Sequence, residues 1–337
     1  MNHFEKEISV LRVSEEELPL ILELFNQAAE EELPYSQITV QACRSLFFYS
    51  TEKYKIVSLC AKTSEETVGF ISGCLDPGAG RGYITFLYTV RNRRRQGIGT
   101  RLLLALEDEM KTALSCKTGT QIGLTVQISF FNPCTLAWIV PGTSGHDHPN
   151  APGVDVSSGA YLFFKNRNFI PTVYQNSFYL PLHRYEEPFF LKEKKPRLLA
   201  DGIEICLYDH RKHNGLEELT DDLGNPVWKE ELLANESLKD KADPVAAAIR
   251  NGKIIGFTGP LRVQESGRGY FAGIGIHSGY RGFGLGNVLF HTLCRTLKEM
   301  GASYMTLFTG ETNPAGQIYS KAGFKIVKSW ADMDITI

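Results

Sequence analysis

The feature that most constrains the fold of this 337-residue chain is an internal repeat with an offset of 187 residues. Three pairs of matching segments share that offset: Gly69-Phe70 with Gly256-Phe257, 80–83 with 267–270, and 94–99 with 281–286. One offset over three landmarks predicts a tandem duplication of a single folding unit. We call the two halves the first and the second copy.

In both copies a glycine-rich stretch follows an apolar run and precedes a segment with helical periodicity. The apolar runs cover 83–90 and 270–276, and the glycine patterns begin at Arg94 and Arg281. A strand, a glycine turn and a helix in this order aim backbone N–H groups and a helix dipole at an anion. The pattern Arg-x-x-Gly-x-Gly is neither the dinucleotide fingerprint nor the Walker pattern. An ordinary turn before a helix can look similar, and only the duplication favours an anion site.

Composition narrows the class of protein. The 36 Lys and Arg residues nearly balance 38 Asp and Glu residues, which argues against nucleic-acid or membrane binding driven by bulk charge. Seven scattered cysteines without a C-x-x-C pair indicate reduced thiols in a cytoplasmic protein. The N-terminus has no apolar signal segment, and no apolar run approaches the roughly 18 residues that span a bilayer. His146, His148 and Asp155 fit local turn contacts better than a metal site, so we expect no metal.

The repeat predicts two α+β domains, each a mixed, mostly antiparallel twisted sheet flanked by helices. We place the domains at 1–183 and 202–337, with a polar linker at 184–201. The closing segment of the first domain, 169–182, is predicted to form a pair of strands. Asn132 and Phe169 are 37 positions apart, whereas their counterparts Asn313 and Phe324 are 11 apart. The first domain therefore carries an insertion near 139–158, which we hypothesise walls a pocket for an acceptor substrate.

Each copy resembles the GNAT superfamily of acyl-CoA-dependent N-acetyltransferases, and the whole chain is similar to a tandem GNAT protein. The second copy also contains the family's pattern Asn-x-x-Ala/Gly-x-x-Tyr-x-x-x-Gly-Phe, at 313–324. The resemblance implies that the glycine stretches bind the pyrophosphate of acetyl-CoA. It implies these cofactor-binding residues: Arg281, Gly282, Phe283, Gly284, Leu285, Gly286, Asn287 and Asn313 in the second copy, and Arg94, Arg95, Gln96, Gly97, Ile98, Gly99 and Thr100 in the first. For Asn313 the resemblance allows two roles: a hydrogen bond to the pantetheine arm of the cofactor, or a cap on the following helix.

The resemblance also implies backbone N–H donors to the thioester on the preceding strands. These map to Ile274 and Ile276, and in the first copy to Thr89 or Val90. Tyr319 is implied as the general acid that protonates the leaving thiolate, the alternative being a tyrosine that only packs. No carboxylate lies in 83–90 or 270–277, so the base is His277 or a water molecule.

The first copy lacks the tyrosine. Counting forward from Asn132 gives Trp138 in its place, counting back from Phe169 gives Phe164, and Tyr161 lies one helical turn away. We therefore expect an N-acetyltransferase for a small-molecule or peptide amine, with the second copy as the catalyst. The alternatives are a non-catalytic acyl-CoA-binding regulator or scaffold, and a tandem GNAT that uses another acyl donor. The acceptor and the oligomeric state are not predicted.

Overall fold

The computed structural model describes residues 8–118, 123–129 and 132–337. The first copy contains these helices and strands: β1 (Ser9–Arg12), α1 (Leu18–Glu31), α2 (Val40–Phe47), β2 (Lys55–Lys62), β3 (Thr67–Asp76), β4 (Arg81–Thr89), α3 (Ile98–Thr118), β5 (Thr125–Ile128), β6 (Trp138–Ile139), β7 (Asp147–His148), β8 (Val154–Asp155), α4 (Gly159–Lys165) and β9 (Ile170–Pro181). Ser14 and Glu17 form a capping box before α1. The alternating sequence of 121–129 predicts a strand, and the start of this segment lies outside the described residues.

The second copy repeats this order after one additional helix. Its elements are α5 (Phe190–Ala200), β10 (Ile203–Leu207), α6 (Leu216–Leu223), α7 (Pro226–Ser237), β11 (Ala246–Arg250), β12 (Lys253–Val263), β13 (Gly269–Ile276), α8 (Leu285–Glu299), β14 (Tyr304–Gly310), α9 (Ala315–Lys321) and β15 (Lys325–Thr336). None of the helices in the described part of the chain is long and apolar enough to cross a membrane.

The chain forms two compact units. Unit 1 comprises Met1–Asn176 and Lys328–Ile337, and unit 2 comprises Ser177–Val327. The predicted boundaries at 183 and 202 differ from this division, because β9 passes from unit 1 into unit 2 and β15 passes back. The segment 169–182 does not form the predicted pair of strands but contains the single 12-residue strand β9, and β15 is likewise one strand of 12 residues. The repeat alone does not show which unit receives a terminal strand.

Unit 1 is a mixed sheet between two helical layers, as predicted. Strands β1 to β4 pair antiparallel in sequence order, and β5 pairs with β4 in parallel and with the end of β15 antiparallel. Leu102, Leu106 and Met110 of α3 lie in the core on one face. Ile21 and Phe25 of α1 lie in the aromatic core on the other face.

Unit 2 repeats the arrangement. Strands β10 to β13 form an antiparallel sheet. Positive φ angles at Asn251 and Gly252 make a tight hairpin turn, which the sequence Asn-Gly favours. Helix α8 packs on one face of the sheet and α6 with α7 on the other. The predicted linker 184–201 instead contains α5, whose Leu191 and Leu198 are buried against α8 because they lie on one helix face.

The insertion of the first copy is folded onto unit 1. Trp138 is fully buried and donates from Nε1 to the Asn150 carbonyl at 2.8 Å, and Nδ1 of His148 lies 2.9 Å from the same oxygen. Ile139 N–H donates to the Pro34 carbonyl, which ties the insertion to the loop between α1 and α2. The described residues contain no group of three or more His, Cys, Asp or Glu placed to hold a metal ion.

Candidate active site

In each unit, two parallel strands pair at their start and then separate. In unit 1, β4 and β5 pair only over Arg81–Tyr83 and Thr125–Gln127. In unit 2, β13 and β14 meet at a single bridge, Arg268 to Tyr304. Arg268 is 6% exposed and donates from Nε to Thr306 Oγ1 at 2.7 Å, which fastens the closed end. Beyond that point the β13 edge has no strand partner among the described residues.

The unpaired edge of β13 exposes particular backbone donors. His277 N–H donates to the Ile255 carbonyl on β12 at 3.0 Å. Because successive N–H groups of a strand point to opposite edges, Ile276 and Ile274 direct theirs to the open side. In unit 1, Val90 N–H donates to the Val68 carbonyl at 3.1 Å, which leaves Thr89 facing the open side. Because the Val90 N–H is used within the sheet, the geometry favours Thr89 over Val90 as the donor.

Both of these strands are irregular, which sequence reasoning missed, and in β4 the irregularity is a bulge. In unit 1 the pairing of β3 with β4 shifts register so that Thr85 has no opposite residue. In unit 2 a Cβ built on Gly269 would meet Leu297 of α8, whereas one built on Gly273 would meet Trp228 of α7. Residues four apart in a regular strand share a face, so β13 changes face between them. The pairing of β12 with β13 keeps one register across this change, so β13 has no extra residue there.

The glycine loop of unit 2 forms an open cradle. Gly282 and Gly284 have φ angles of 90° and 74°, which only glycine adopts without strain, and α8 starts immediately afterwards. Gly284 caps the helix without a side chain, so the N–H groups of the first turn have no acceptor within the helix. A Cβ built on Gly286 would meet nothing within 4 Å. The loop therefore has free donors and free space in front of them.

The corresponding space in unit 1 is filled. A Cβ built on Gly99 would lie 3.2 Å from the Phe163 ring. Arg167 donates to Thr100 Oγ1 in the first turn of α3, and its Cζ lies 3.7 Å above the Phe163 ring centre. Arg95 has a φ of 65° at the position of Gly282, a left-handed conformation that costs a non-glycine residue energy.

Two asparagine positions show the same contrast. Asn287 occupies the place of Thr100, and its Oδ1 is buried without a hydrogen-bond partner in the described structure. Asn132 donates from Nδ2 to the Ile84 carbonyl at 3.0 Å and so occupies the open edge of β4. Its counterpart Asn313 accepts from Ala315 N–H at 2.9 Å, which is the helix-capping role predicted as one of two.

Tyr319 lies on α9 with its ring packed and its hydroxyl unpaired. The residue is 8% exposed, and its ring centre is 4.9 Å from that of Phe290. The described residues offer the hydroxyl no hydrogen bond. Burial raises the pKa of Tyr319 above its ordinary value of 10.0, so the phenol is protonated at neutral pH.

A backbone bond fixes the position in unit 1 that matches Tyr319. Phe324 N–H donates to the Tyr319 carbonyl at 3.1 Å, and Phe169 N–H donates to the Phe164 carbonyl at 3.2 Å. Phe164 therefore takes the place of the tyrosine, and Trp138 does not. The hydroxyl of Tyr161 lies 2.9 Å from that of Tyr174 and is engaged there.

His277 is held by its neighbours at the end of β13. Its Nδ1 accepts from Gly279 N–H at 3.1 Å, and its Nε2 is 3.8 Å from Asp222 Oδ1. Hydrogen bonds from the Ser278 hydroxyl and N–H lower the pKa of Asp222. With the Nδ1 lone pair occupied, the proton of neutral His277 lies on Nε2 towards Asp222, which makes the ring a poor general base.

Several solved structures are similar in fold to this chain over nearly its whole length. One is a GCN5-related glucosamine N-acetyltransferase region of a fungal multi-domain β-N-acetylglucosaminidase, with a TM-score of 0.64 and 16% identity over 98% of this chain. This chain spans 38% of that protein's length. A GCN5-related N-acetyltransferase from Sphaerobacter thermophilus has a TM-score of 0.62 and 14% identity, and 98% of this chain covers 95% of it.

A tandem GNAT protein from the clavulanic acid biosynthesis pathway has a TM-score of 0.59 and 15% identity, with 98% of each chain covered. No curated protein sequence matches this chain significantly. The sequence profile of the Acetyltransferase (GNAT) family matches residues 18–131 and 213–324. The chain therefore belongs to the GNAT acetyltransferase family and contains two copies of its fold.

Proposed function

We propose that the protein transfers an acetyl group from acetyl-CoA to a primary amine, and that unit 2 alone carries out the reaction. The observation that carries this proposal is the contrast between the two helix starts. The space in front of Gly286 is open, whereas the Phe163 ring lies against Gly99. Membership of the GNAT family supports acyl transfer to an amine as the type of reaction.

The donor site would be formed by the glycine loop and the first turn of α8. The N–H groups of Leu285, Gly286 and Asn287 are free to bind the pyrophosphate, because Gly284 provides no capping side chain. The buried, unpartnered Oδ1 of Asn287 suits an N–H or hydroxyl donor of the same ligand. Arg281 is exposed at the head of the loop and adds positive charge.

The open edge of β13 would hold the arm that carries the thioester. Ile274 and Ile276 present N–H groups there, as an extended chain with amide groups requires. Such a donor aimed at the thioester oxygen stabilises the negative charge that develops when an amine attacks the carbonyl carbon.

Tyr319 would complete the reaction as the general acid. Attack of a neutral amine forms the C–N bond and breaks the C–S bond, and the departing thiolate takes the phenolic proton. The amine releases its extra proton to water, since His277 is held by Gly279 and Asp222. A protonated phenol without a protein partner suits this role.

The test is the binding stoichiometry of CoA, measured by isothermal titration calorimetry on the whole chain. We expect one site per chain, and thiol release from acetyl-CoA in the presence of at least one amine of a diverse panel. Two equivalent sites would refute the assignment to unit 2 alone. Absence of CoA binding would refute the donor site altogether.

A further inference from the structure

Helix α5, in the segment between the two copies, places a lysine at the glycine loop of unit 2. Leu191 and Leu198 of this helix are buried in the cluster that also contains Leu285 of α8. Lys194 is three residues after Leu191 and four before Leu198, so it lies on the same face of α5. The packing that buries the two leucines therefore directs Lys194 at the start of α8.

The distances place its ammonium group beside the residue that caps α8. A Cβ built on Gly284 would lie 3.5 Å from Lys194 Cε and 3.8 Å from its Nζ. Lys194 forms no hydrogen bond or ion pair with any described residue. By contrast, Nζ of the adjacent Lys195 is 2.7 Å from Glu187 Oε1.

This position is electrostatically unfavourable in the protein alone. The N-terminus of a helix carries a partial positive charge, which repels a cation and attracts an anion. No carboxylate of the described structure compensates Lys194, yet the fold holds it against the positive end of a 15-residue helix. An anionic ligand in front of Gly284 would satisfy the ammonium group and the first-turn N–H groups together.

We propose that Lys194 is a donor-binding residue of unit 2 that contacts the pyrophosphate of the acyl-CoA. The inference rests on the proposed function, because it takes the glycine loop as the donor site. It goes beyond the family's loop pattern, since the residue comes from the segment between the repeats. That segment is then part of the site, and the second copy needs α5 for full affinity.

The experiment compares Lys194→Gln with wild type for CoA and for 3′-dephospho-CoA, by calorimetry on the full chain. We expect about tenfold weaker binding of both ligands, the loss of one charge-assisted contact. Lys192→Gln is the matched control, since it removes the same charge from an exposed position of the same helix and should leave both affinities unchanged.

Thermal unfolding without ligand separates a binding role from a structural one. Removal of the ammonium group relieves repulsion at α8, so Lys194→Gln should unfold at the same or a higher temperature than wild type. If Lys194→Gln loses affinity for CoA but not for 3′-dephospho-CoA, the proposed contact with the pyrophosphate is wrong. It is also wrong if the affinity for both ligands is unchanged, or if the variant unfolds at a lower temperature than wild type. If wild type binds neither ligand, the proposed donor site itself has failed.

Discussion

The two units build the same backbone cradle but surround it differently. Gly97 and Gly284 have nearly equal φ angles, 78° and 74°, and each precedes the first turn of a helix. In unit 1 the Phe163 ring lies against Gly99 and Arg167 donates to Thr100, whereas the space at Gly286 of unit 2 is open. At the capping glycine the relation is reversed, since a Cβ on Gly97 would meet nothing within 4 Å and Lys194 lies beside Gly284. The turn is needed to start the helix whether or not a ligand binds. The contrast shows that the glycine pattern reports backbone geometry, and that neighbouring side chains decide whether a ligand fits.

The largest effect is expected at the pair Tyr319 and Phe164. Tyr319→Phe should lower kcat by roughly a hundredfold or more, because it removes the proton donor to the thiolate. CoA affinity should change little, since the hydroxyl bonds no described residue and the ring keeps its packing. Steady-state kinetics with the preferred amine, combined with calorimetry, measures both quantities.

The matched variant in unit 1 is Phe164→Tyr, which restores the family's tyrosine at the equivalent position. It should leave kcat unchanged, because Phe163 and Arg167 still fill the cradle of that unit. An increase in kcat would mean that unit 1 binds the donor. A Tyr319→Phe variant with unaltered turnover would favour a packing role for the tyrosine, and a wild type that binds CoA without turnover would favour a regulator.

The next effect, on donor binding and stability, is expected from bulk at the two helix starts. Gly286→Val places a branched side chain in the open space and should abolish measurable CoA binding with little loss of stability. Gly99→Val should do the reverse: it overpacks against Phe163 and costs about 1–3 kcal/mol of stability, while CoA affinity stays the same. Calorimetry and chemical unfolding of both variants provide the comparison. Equal losses of CoA affinity would contradict the single-site proposal.

The sequence predicts the parts of this architecture that local patterns encode. The repeat offset, the hairpin at Asn251-Gly252 and the helix starts follow from spacing and turn chemistry. The path of β9 and β15 does not, because both copies end in a similar strand and the choice of unit depends on long-range packing. Helix α5 was missed for a related reason: its charged residues conceal that Leu191 and Leu198 share one face.

The candidate site was predictable only where a motif specifies it. The Arg-x-x-Gly-x-Gly stretches and Tyr319 stand in family patterns, but the insertion near 139–158 breaks the register of the first copy. From the sequence alone, either Trp138 or Phe164 could be equivalent to Tyr319. The hydrogen bond from Phe169 N–H to the Phe164 carbonyl identifies Phe164 as the equivalent residue. Tertiary packing brings Lys194 to the loop of unit 2, and it brings Phe163 and Arg167 to the loop of unit 1. The spacing of these residues in the sequence does not predict either contact.

The smallest expected effect concerns the arginines that head the two loops. Arg94 pairs with Glu32 and donates from Nε to the Thr89 carbonyl at 2.9 Å. Arg281 has no salt bridge in the described parts of the chain. Burial raises the pKa of Glu32, but hydrogen bonds from Arg94 and Tyr88 and the arginine charge outweigh it, so the pKa lies below its ordinary value of 4.5. Arg94 is thus paired with a carboxylate inside unit 1, whereas Arg281 donates from Nε to the Ile276 carbonyl and interacts with Asp222 only at longer range.

A carboxyl group whose pKa is lowered by folding stabilises the protein above its unfolded pKa, and this contribution is lost as the pH falls through the folded value. Glu32→Gln should therefore reduce the free energy of unfolding by about 0.5–1 kcal/mol at pH 7, the range for a partly exposed ion pair. The difference from wild type should shrink below pH 4.5. Thermal unfolding between pH 7 and pH 3 measures this difference. Glu31→Gln is the control, because among the described residues the Glu31 side chain accepts a hydrogen bond from the Gln27 amide and has no ion pair. A difference that stays constant over this pH range would mean that Glu32 acts through packing. Arg94 would then retain a charge that could bind an anion, as we propose for Arg281.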